Sequence, residues 1–220
     1  MVKAVIFDLD GTLIDTIEGL ANSVNAAMEH YSFPKHTIEE YRSFVGNGVG
    51  KLVERALPDD KKHLKEEARK IFEEHYERTM LDILPVYDGI WDLIEFLKEN
   101  NIKMSVNTNK MDVFAKPMIK KVFGDIFIDV LGEVEHFERK PAPDGGEYLL
   151  EKMNVKKEEC VYIGDSQVDI HTAKNLGMRS ISVCWGFAKR EVLLENEPEI
   201  MVNTPYEIID LIQTWNRKDN

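Results

Sequence analysis

The hydrophobic pattern along the chain alternates between two kinds of segment. Short apolar runs rich in Val and Ile predict buried strands, whereas apolar residues three or four positions apart predict amphipathic helices. Strands are predicted over residues 2–7, 102–108, 126–132, 160–165, 179–186 and 199–203, and helices over 89–99, 111–122, 141–153, 166–178, a stretch before 199, and from about 205 onward. This alternation is typical of a parallel sheet with helices on both faces.

The segment between residues 16 and 83 interrupts the alternation. Apolar residues recur at helical spacing over 20–31 and again over 59–80, where one long amphipathic helix is predicted, and no strand is predicted in this segment. We therefore expect an α/β fold with two parts. Residues 1–15 and 84–220 would form a Rossmann-like catalytic core with a parallel sheet, and residues 16–83 an inserted all-helical cap.

The composition is that of a globular chain with a substantial core. Of the 220 residues, 43% are hydrophobic and 31% charged, which suits one large domain or a domain with a smaller insert. No stretch approaches the roughly 20 continuous apolar residues of a membrane span. The N-terminal residues reach an acid too early for a secretory signal, and Cys160 and Cys184 lie in apolar runs, where we expect buried thiols. These features together predict a reducing, cytoplasmic location.

The net charge restricts the kind of partner. The formal charge at pH 7 is −12 without any block of Lys and Arg, so the chain is poorly suited to binding a nucleic-acid backbone. An anionic ligand would have to be held by a few local groups and a metal ion against this field. The six histidines include no His-x-x-x-His pair, which argues against zinc.

Two acids stand at the end of the first predicted strand. Asp8 and Asp10 are two positions apart, so their side chains point to the same side of the strand. Their charges repel there unless a cation lies between them. A DxDG turn by itself indicates little, because Asp and Gly are ordinary turn residues. The residues at the other strand ends are therefore needed to distinguish a binding site from a simple turn.

Polar residues with chemical capacity follow two other predicted strands. Thr108 and Asn109 follow the second strand, Asp165 and Asp169 follow the fourth, and Lys140 precedes a helix. Each has an ordinary alternative, because Thr108 or Asp165 could cap a helix and Lys140 or Asp169 could be solvated. Ligands of open parallel sheets bind at the carboxyl ends of the strands. The arrival of all five residues at one edge therefore favours a site.

The chemistry of this set suits phosphoryl transfer. Asp8, Asp165 and a backbone carbonyl make an incomplete oxygen site, of the kind that Mg²⁺ takes while keeping waters and a substrate phosphate. A carboxylate can attack phosphorus and form an aspartyl-phosphate. Asp10 would donate a proton to the leaving oxygen and later activate water. The groups that would hold the phosphoryl oxygens, or let the backbone approach them, are Lys140, Thr108 and Gly11.

At these residues the chain resembles the haloacid dehalogenase superfamily of phosphatases. Its four motifs appear in order as DLDGT, VNTNK, RKPAPD and GDSQVD, and the helical insert corresponds to the cap of that superfamily. The resemblance implies that Asp8 is the nucleophile and Asp10 the general acid/base. It implies a Mg²⁺ ion bound by Asp8, the Asp10 carbonyl and Asp165, with Asp169 in support. The implied phosphate-binding residues are Thr108, Asn109 and Lys140.

Within the superfamily, the chain resembles bacterial phosphoglycolate phosphatases in the cap stretch VGNGVGKLVERAL, in the TNK that follows the second strand and in the late WGF. This implies hydrolysis of 2-phosphoglycolate to glycolate and phosphate by a monomer or homodimer. The partner would be a small phosphorylated metabolite, with no nucleic acid and no membrane. The alternatives are a pyrophosphatase, a broad sugar or metabolite phosphatase, and a phospho-accepting binding module. Asp10 argues against the module, which needs no general acid/base.

The predicted cap offers candidates for recognition of the leaving group. Asn47 lies between two glycines and could contact the substrate, although a plain helix–helix turn explains this loop equally well. Arg42, Lys51 and Arg55 could face a substrate carboxylate, but surface charge is the simpler interpretation of each.

Overall fold

Six parallel strands form one sheet at the centre of the structure, a computed structural model that describes residues 1–218. The strands are β1 (Ala4–Phe7), β2 (Lys103–Met111), β3 (Val130–Glu133), β4 (Cys160–Gly164), β5 (Arg179–Val183) and β6 (Met201–Val202). Their order is β3-β2-β1-β4-β5-β6, so β1 lies between β2 and β4, where the strand order reverses. The predicted α/β class with a Rossmann-like parallel sheet is confirmed.

Helices cover both faces of this sheet. Within the described chain they are α1 (Ile17–His30), α2 (Ile38–Phe44), α3 (Val49–Ala56), α4 (Lys65–Thr79), α5 (Ile90–Glu99), α6 (Asp112–Phe123), α7 (Asp144–Met153), α8 (Gln167–Leu176), α9 (Arg190–Glu195) and α10 (Pro205–Lys218). Val5 and Phe7 of β1 join a hydrophobic cluster with α5, α6 and α10. Ala4 and Ile6 join the opposite cluster, with α7 and α8. This period of two is what a strand buried on both faces requires.

The segment between β1 and α5 is helical, and α1 to α4 pack mainly on one another. Leu20 and Val24 of α1 meet Phe72 and Tyr76 of α4 in a hydrophobic cluster separate from those of the sheet. The prediction of a single helix over 59–80 is wrong, because Asp59–Leu64 is a 3₁₀ helix and α4 begins only afterwards. None of the 3₁₀ side chains is buried. No fully buried side chain therefore holds this stretch in the register of α4.

Several strand boundaries differ from the predicted ones. The third, fifth and sixth strands are shorter than their apolar runs, whereas β2 continues past Thr108 to Met111. The pairing of β2 with β3 shifts register between Asn107 and Met111. Through this irregular pairing β2 continues into the polar residues that follow its apolar run. The change from apolar to polar residues therefore did not predict where β2 ends.

Two further observations concern the composition. Cys160 is buried, and burial raises the pKa of its thiol to about 12. The prediction of a buried thiol is wrong for Cys184, which is half-buried just beyond β5 and accepts a hydrogen bond from Arg190 Nη1 at 3.2 Å. Among residues 1–218, no helix combines the length and the apolar character needed to cross a membrane.

Candidate active site

A cavity of about 460 Å³ lies between the carboxyl edge of the sheet and the α1–α4 segment. Asp8 directly follows β1, Asp165 directly follows β4, and Thr108 lies near the end of β2; all three line the cavity. The other predicted residues that line it are Asp10, Asn109, Lys140 and, from the helical segment, Arg42. The structure therefore brings the residues of three strand ends to one place, as the parallel sheet requires.

A buried lysine joins two of the acids. Lys140 Nζ lies 2.9 Å from Asp8 Oδ1 as an ion pair and donates a hydrogen bond to Asp169 Oδ1 at 2.7 Å. All three side chains are buried. Burial alone would lower the pKa of Lys140, but Asp169 and Asp8 overcome it and raise that pKa well above its usual value. Lys140 is therefore an ammonium ion, and neither it nor Asp169 is solvated.

Asp165 is held in a space that two glycines leave open. A Cβ on Gly11, whose φ is +83°, would lie 2.3 Å from Asp165 Oδ2, and a Cβ on Gly186 would lie 2.2 Å from Asp165 Cβ. The backbone N–H of Phe187 donates to Asp165 Oδ2 at 2.6 Å. Gly11 is thus required twice, by its left-handed backbone and by the carboxylate packed against it.

The acids at this edge form a cluster that could hold a metal ion. Oxygen atoms of Asp8, Asp165 and Asp169 lie within 4.8 Å of one another. Both oxygens of Asp169 are engaged, by Lys140 and by the N–H and hydroxyl of Ser166. Asp8 Oδ1 is buried beside the Lys140 ammonium and accepts no other hydrogen bond from the described residues. A buried carboxylate oxygen beside a second carboxylate suits a hard divalent cation with oxygen ligands.

Ionisation of these acids is costly in the protein without a metal. Burial raises the pKa of Asp8 from 3.8 to about 7, against the attraction of Lys140 and with a further contribution from Asp169. Burial and the neighbouring charges of Asp8 and Asp169 also raise the pKa of Asp165 well above its usual value. A bound cation would remove this cost, because it favours the charged carboxylates.

Asp10 is fixed by a hydroxyl and a second buried lysine. Thr16 Oγ1 donates to Asp10 Oδ1 at 2.6 Å, and Lys110 Nζ donates to Asp10 Oδ2 at 3.0 Å. Lys110 also lies under the Tyr76 ring, 5.0 Å from its centroid. Burial would lower the pKa of Lys110, but the interactions with Asp10 and Tyr76 together outweigh this and the net shift is upward. Lys110 is therefore a second ammonium ion in the cavity.

Lys110 was missing from the predicted site, although the sequence contains a signal for it. It stands two positions after Thr108 at the end of β2, as Asp10 stands two positions after Asp8 at the end of β1. Residues two apart in a strand point to the same side. Thr108 and Lys110 are therefore expected to point to the same side of the sheet edge, as Asp8 and Asp10 are.

Thr108 and Asn109 connect the sheet edge to neighbouring loops. Thr108 Oγ1 accepts a hydrogen bond from the Lys110 N–H at 3.2 Å. The residue at the cap position of α6 is Met111, so Thr108 does not have the ordinary helix-capping role. Asn109 Nδ2 donates to the carbonyls of Lys140 and Gly46, each at 3.2 Å. Asn109 thus contacts both the lysine loop and the helical segment.

The predicted substrate residue of the helical segment does not reach the cavity. Asn47 Oδ1 accepts a hydrogen bond from Arg55 Nη2 at 2.8 Å, and Asn47 is absent from the cavity lining. The glycines on either side of it, Gly46 and Gly48, do line the cavity. Asn47 therefore stabilises its own loop through Arg55, which also donates to the Phe44 carbonyl.

The comparisons with known proteins agree with this geometry. A family profile for haloacid dehalogenase-like hydrolases matches residues 5–183, and the chain belongs to this family. The phosphoglycolate phosphatases of Vibrio vulnificus (strain YJ016) and Chromobacterium violaceum are 30% and 31% identical to the chain. The matches cover 96% of this chain, with 96% of the first relative and 97% of the second.

Solved structures share the whole architecture. A Lactobacillus delbrueckii subsp. bulgaricus protein is 29% identical, with a TM-score of 0.89 over 96% of this chain and 98% of that one. A predicted phosphoglycolate phosphatase from Haemophilus somnus 129PT is 25% identical, with a TM-score of 0.86 over the same shares. The chain is thus a phosphatase, a phosphoric monoester hydrolase that acts on small phosphorylated substrates.

The raised pKa of Asp8 predicts a pH-dependent cost to stability. An acid whose pKa rises on folding costs nothing below about pH 4, costs progressively more up to about pH 7, and costs a constant amount above it. With a chelator present, Asp8→Asn should therefore melt higher than the wild type at pH 8, by about 3 °C or more. The difference should fall below half of that value at pH 4.5.

The measurement is a pair of thermal melts across this pH range, with Asp129→Asn as the control. Asp129 accepts a hydrogen bond from Tyr148 away from the cavity, so its variant should show no gain at pH 8. An equal Asp8→Asn difference at pH 4.5 and pH 8 would contradict the assigned cause.

Proposed function

We propose that this phosphatase hydrolyses 2-phosphoglycolate to glycolate and phosphate through an aspartyl-phosphate on Asp8, with Mg²⁺ as cofactor. The observation that carries the proposal is the state of Asp8 in the cavity. Its Oδ1 is buried and lies 2.9 Å from the Lys140 ammonium, and it accepts no other hydrogen bond within residues 1–218. A desolvated carboxylate beside a fixed cation suits nucleophilic attack on an anionic phosphoryl group.

In the first half of the reaction, Asp8 attacks phosphorus. An Asp8 oxygen forms a bond to phosphorus as the bond to the leaving oxygen breaks, and Asp10 gives its proton to that oxygen. Lys140 and the Thr108 hydroxyl offset the charge on the phosphoryl oxygens. Mg²⁺, when bound by Asp8, Asp165 and the Asp10 carbonyl, with Asp169 in support, would neutralise charge on the carboxylates and the phosphate.

In the second half, water releases the phosphate. Water attacks phosphorus, Asp10 accepts a proton from it, and the bond between Asp8 and phosphorus breaks to restore the carboxylate. This role requires Asp10 to keep one orientation while its proton leaves and returns. The hydrogen bonds from Thr16 and Lys110 provide that orientation.

We further propose that residues 16–83 act as a cap over the core of residues 1–15 and 84–220. The hydrophobic cluster of α1–α4 supports this division, because it is distinct from the cluster of the sheet and only a few buried residues of the described core, Phe114, Met118 and Phe187, join it. The hydrogen bond of Asn109 to the Gly46 carbonyl is a contact that can be made and broken as such a cap moves. Closure would exclude water from the first half of the reaction.

Two observations favour a small, acidic leaving group. The relatives from Vibrio vulnificus and Chromobacterium violaceum, alike over nearly their full lengths, are phosphoglycolate phosphatases. In this chain the cavity holds two buried ammonium groups, Lys110 and Lys140, which suits a substrate with two anionic groups. A neutral leaving group would use only one of them.

The nucleophile is tested by Asp8→Asn. The amide cannot form the phosphoenzyme, so kcat should fall at least about a hundredfold, or about 2.7 kcal/mol in the barrier. Circular dichroism should show an unchanged fold. Retention of more than a hundredth of the wild-type kcat would exclude Asp8 from this role.

The cofactor is tested by removing metal ions. A chelator should abolish phosphate release and Mg²⁺ should restore it, whereas Ca²⁺ should restore it poorly because its larger, looser coordination shell misplaces the carboxylate. Phosphate release is measured before and after dialysis into metal-free buffer. Full activity of the dialysed protein would refute the metal requirement.

The substrate is tested with a panel of phosphorylated metabolites, pyrophosphate and sugar phosphates included. Specificity is a ratio of kcat/KM values. We expect 2-phosphoglycolate to have the highest kcat/KM, because its two anionic groups match the two buried ammonium groups of the cavity. The assay measures released phosphate at one Mg²⁺ concentration for all compounds. A higher kcat/KM for pyrophosphate or for a sugar phosphate would replace 2-phosphoglycolate as the substrate while leaving the phosphatase chemistry intact.

A further inference from the structure

Lys110 orients Asp10, and its position in the cavity also suits a direct contact with the substrate. Its side chain is 2% exposed, and within the described chain its ion-pair partner is Asp10, with Nζ to Oδ1 at 2.9 Å. Buried ammonium groups are costly unless they are paired and fully hydrogen-bonded. A different lysine, Lys140, which pairs with Asp8, is the one assigned to phosphate binding. A second buried lysine beside Asp10 therefore suggests a second anionic group in the substrate.

An unsatisfied donor lies next to this lysine. Tyr76 of α4 lines the cavity and is 1% exposed, and its O–H has no acceptor within residues 1–218. The Lys110 ammonium lies beside it, 5.0 Å from the centre of the Tyr76 ring, and can donate to the hydroxyl oxygen but cannot accept its proton. A buried O–H without an acceptor costs free energy, so an acceptor brought by a ligand would be bound there. Tyr76 and Lys110 together offer one neutral and one charged donor.

The distances limit how far that acceptor can lie from the ester oxygen. Asp10 has to lie within hydrogen-bond reach of the ester oxygen, about 2.6–3.2 Å. Lys110 Nζ is 2.9 Å and 3.0 Å from the two Asp10 oxygens. The ammonium is therefore within about 6 Å of the ester oxygen. An acid group separated from the ester oxygen by a single carbon lies inside this distance and can therefore contact the Lys110 ammonium.

We propose that Lys110 and the Tyr76 hydroxyl bind the carboxylate of a phosphomonoester in which one carbon separates the acid from the ester oxygen. This inference rests on the proposed function, and it names the residues that select the substrate. Lys140 then binds the phosphoryl group and Lys110 the carboxylate. Lys110 belongs to the sheet and Tyr76 to α4, so the carboxylate site is complete only when core and helical segment are together.

The other cations near the cavity are less suited to this role. Arg42 lines the cavity, but its guanidinium lies 3.6 Å from Asp15 and over the Phe187 ring at 5.6 Å, and its side chain is 28% exposed. Lys51 is exposed and pairs with Glu54. Each of these charges already has an acidic partner in or near water, where a further ion pair contributes little.

The test compares two substrates that differ only in the acid group, 2-phosphoglycolate and 2-hydroxyethyl phosphate. Lys110→Met removes the charge while keeping most of the side-chain volume. Because Lys110 also orients Asp10, both kcat/KM values should fall, and the informative quantity is their ratio. We expect Lys110→Met to lower the ratio for the acid over the alcohol at least about tenfold. Lys110→Arg should restore part of the ratio, because it keeps the charge.

A tyrosine pair provides a matched control. Tyr76→Phe removes the unpaired hydroxyl and should lower the ratio about threefold or more. Tyr41→Phe removes the hydroxyl of another buried tyrosine of the helical segment, one that donates to Asn25 and does not line the cavity. Its ratio should stay within about twofold of the wild type. Thermal melts of all variants check that each protein is folded.

The outcomes separate this inference from the proposed function. A wild-type ratio well above one that Lys110→Met leaves unchanged would overturn the carboxylate site alone, because Lys110 would then act only through Asp10. A wild-type ratio near one would contradict 2-phosphoglycolate as the preferred substrate and the carboxylate site with it. A ratio that collapses in Lys110→Met and is lowered by Tyr76→Phe but not by Tyr41→Phe supports both.

Discussion

The buried contact of Lys140 with Asp8 and Asp169 is the interaction on which the site depends. Three carboxylates lie within one small volume, and the Lys140 ammonium partly offsets their repulsion without a ligand. Removing Lys140 would leave the buried carboxylates uncompensated, which for a buried ion pair typically costs about 3–5 kcal/mol. The acids and the lysine therefore exist as a unit. The folded site therefore has more negative than positive charge, which favours the binding of a cation.

The sheet supplies the geometry that this unit requires. Parallel strands end at one edge, and β1 and β2 each place a pair of side chains two positions apart there: Asp8 with Asp10, and Thr108 with Lys110. The two pairs come from neighbouring strands, so a lysine of one strand meets an acid of the other. Gly11 leaves space for the Asp165 carboxylate, because any Cβ at this position would overlap with it.

Sequence reasoning succeeded where a residue's position follows from a strand end and failed where it follows from packing. The strands, their alternation with helices and the acids behind them were predictable from period and order. The position of Asn47 was not, because its contact with Arg55 depends on how α2 and α3 meet. The charges of the stretch Asp59–Leu64 suit an α-helix and a 3₁₀ helix equally. The lack of a buried face, which the sequence does not reveal, distinguishes it from α4. Lys110 was predictable in principle, but a lysine after a strand is ordinarily solvated.

The placement of Lys110 also changes how the two parts of the chain would share the work of recognition. A division in which the sheet supplies chemistry and the helical segment alone selects the leaving group would give Lys110 no role beyond the orientation of Asp10. In this structure a cation of β2 and a hydroxyl of α4 lie at the same end of the cavity, next to Asp10. A substrate carboxylate at this point would contact both parts at once. Binding energy from the group that identifies the substrate would then favour the arrangement in which Asp10 stands at the ester oxygen, which is how remote contacts contribute to kcat as well as to affinity.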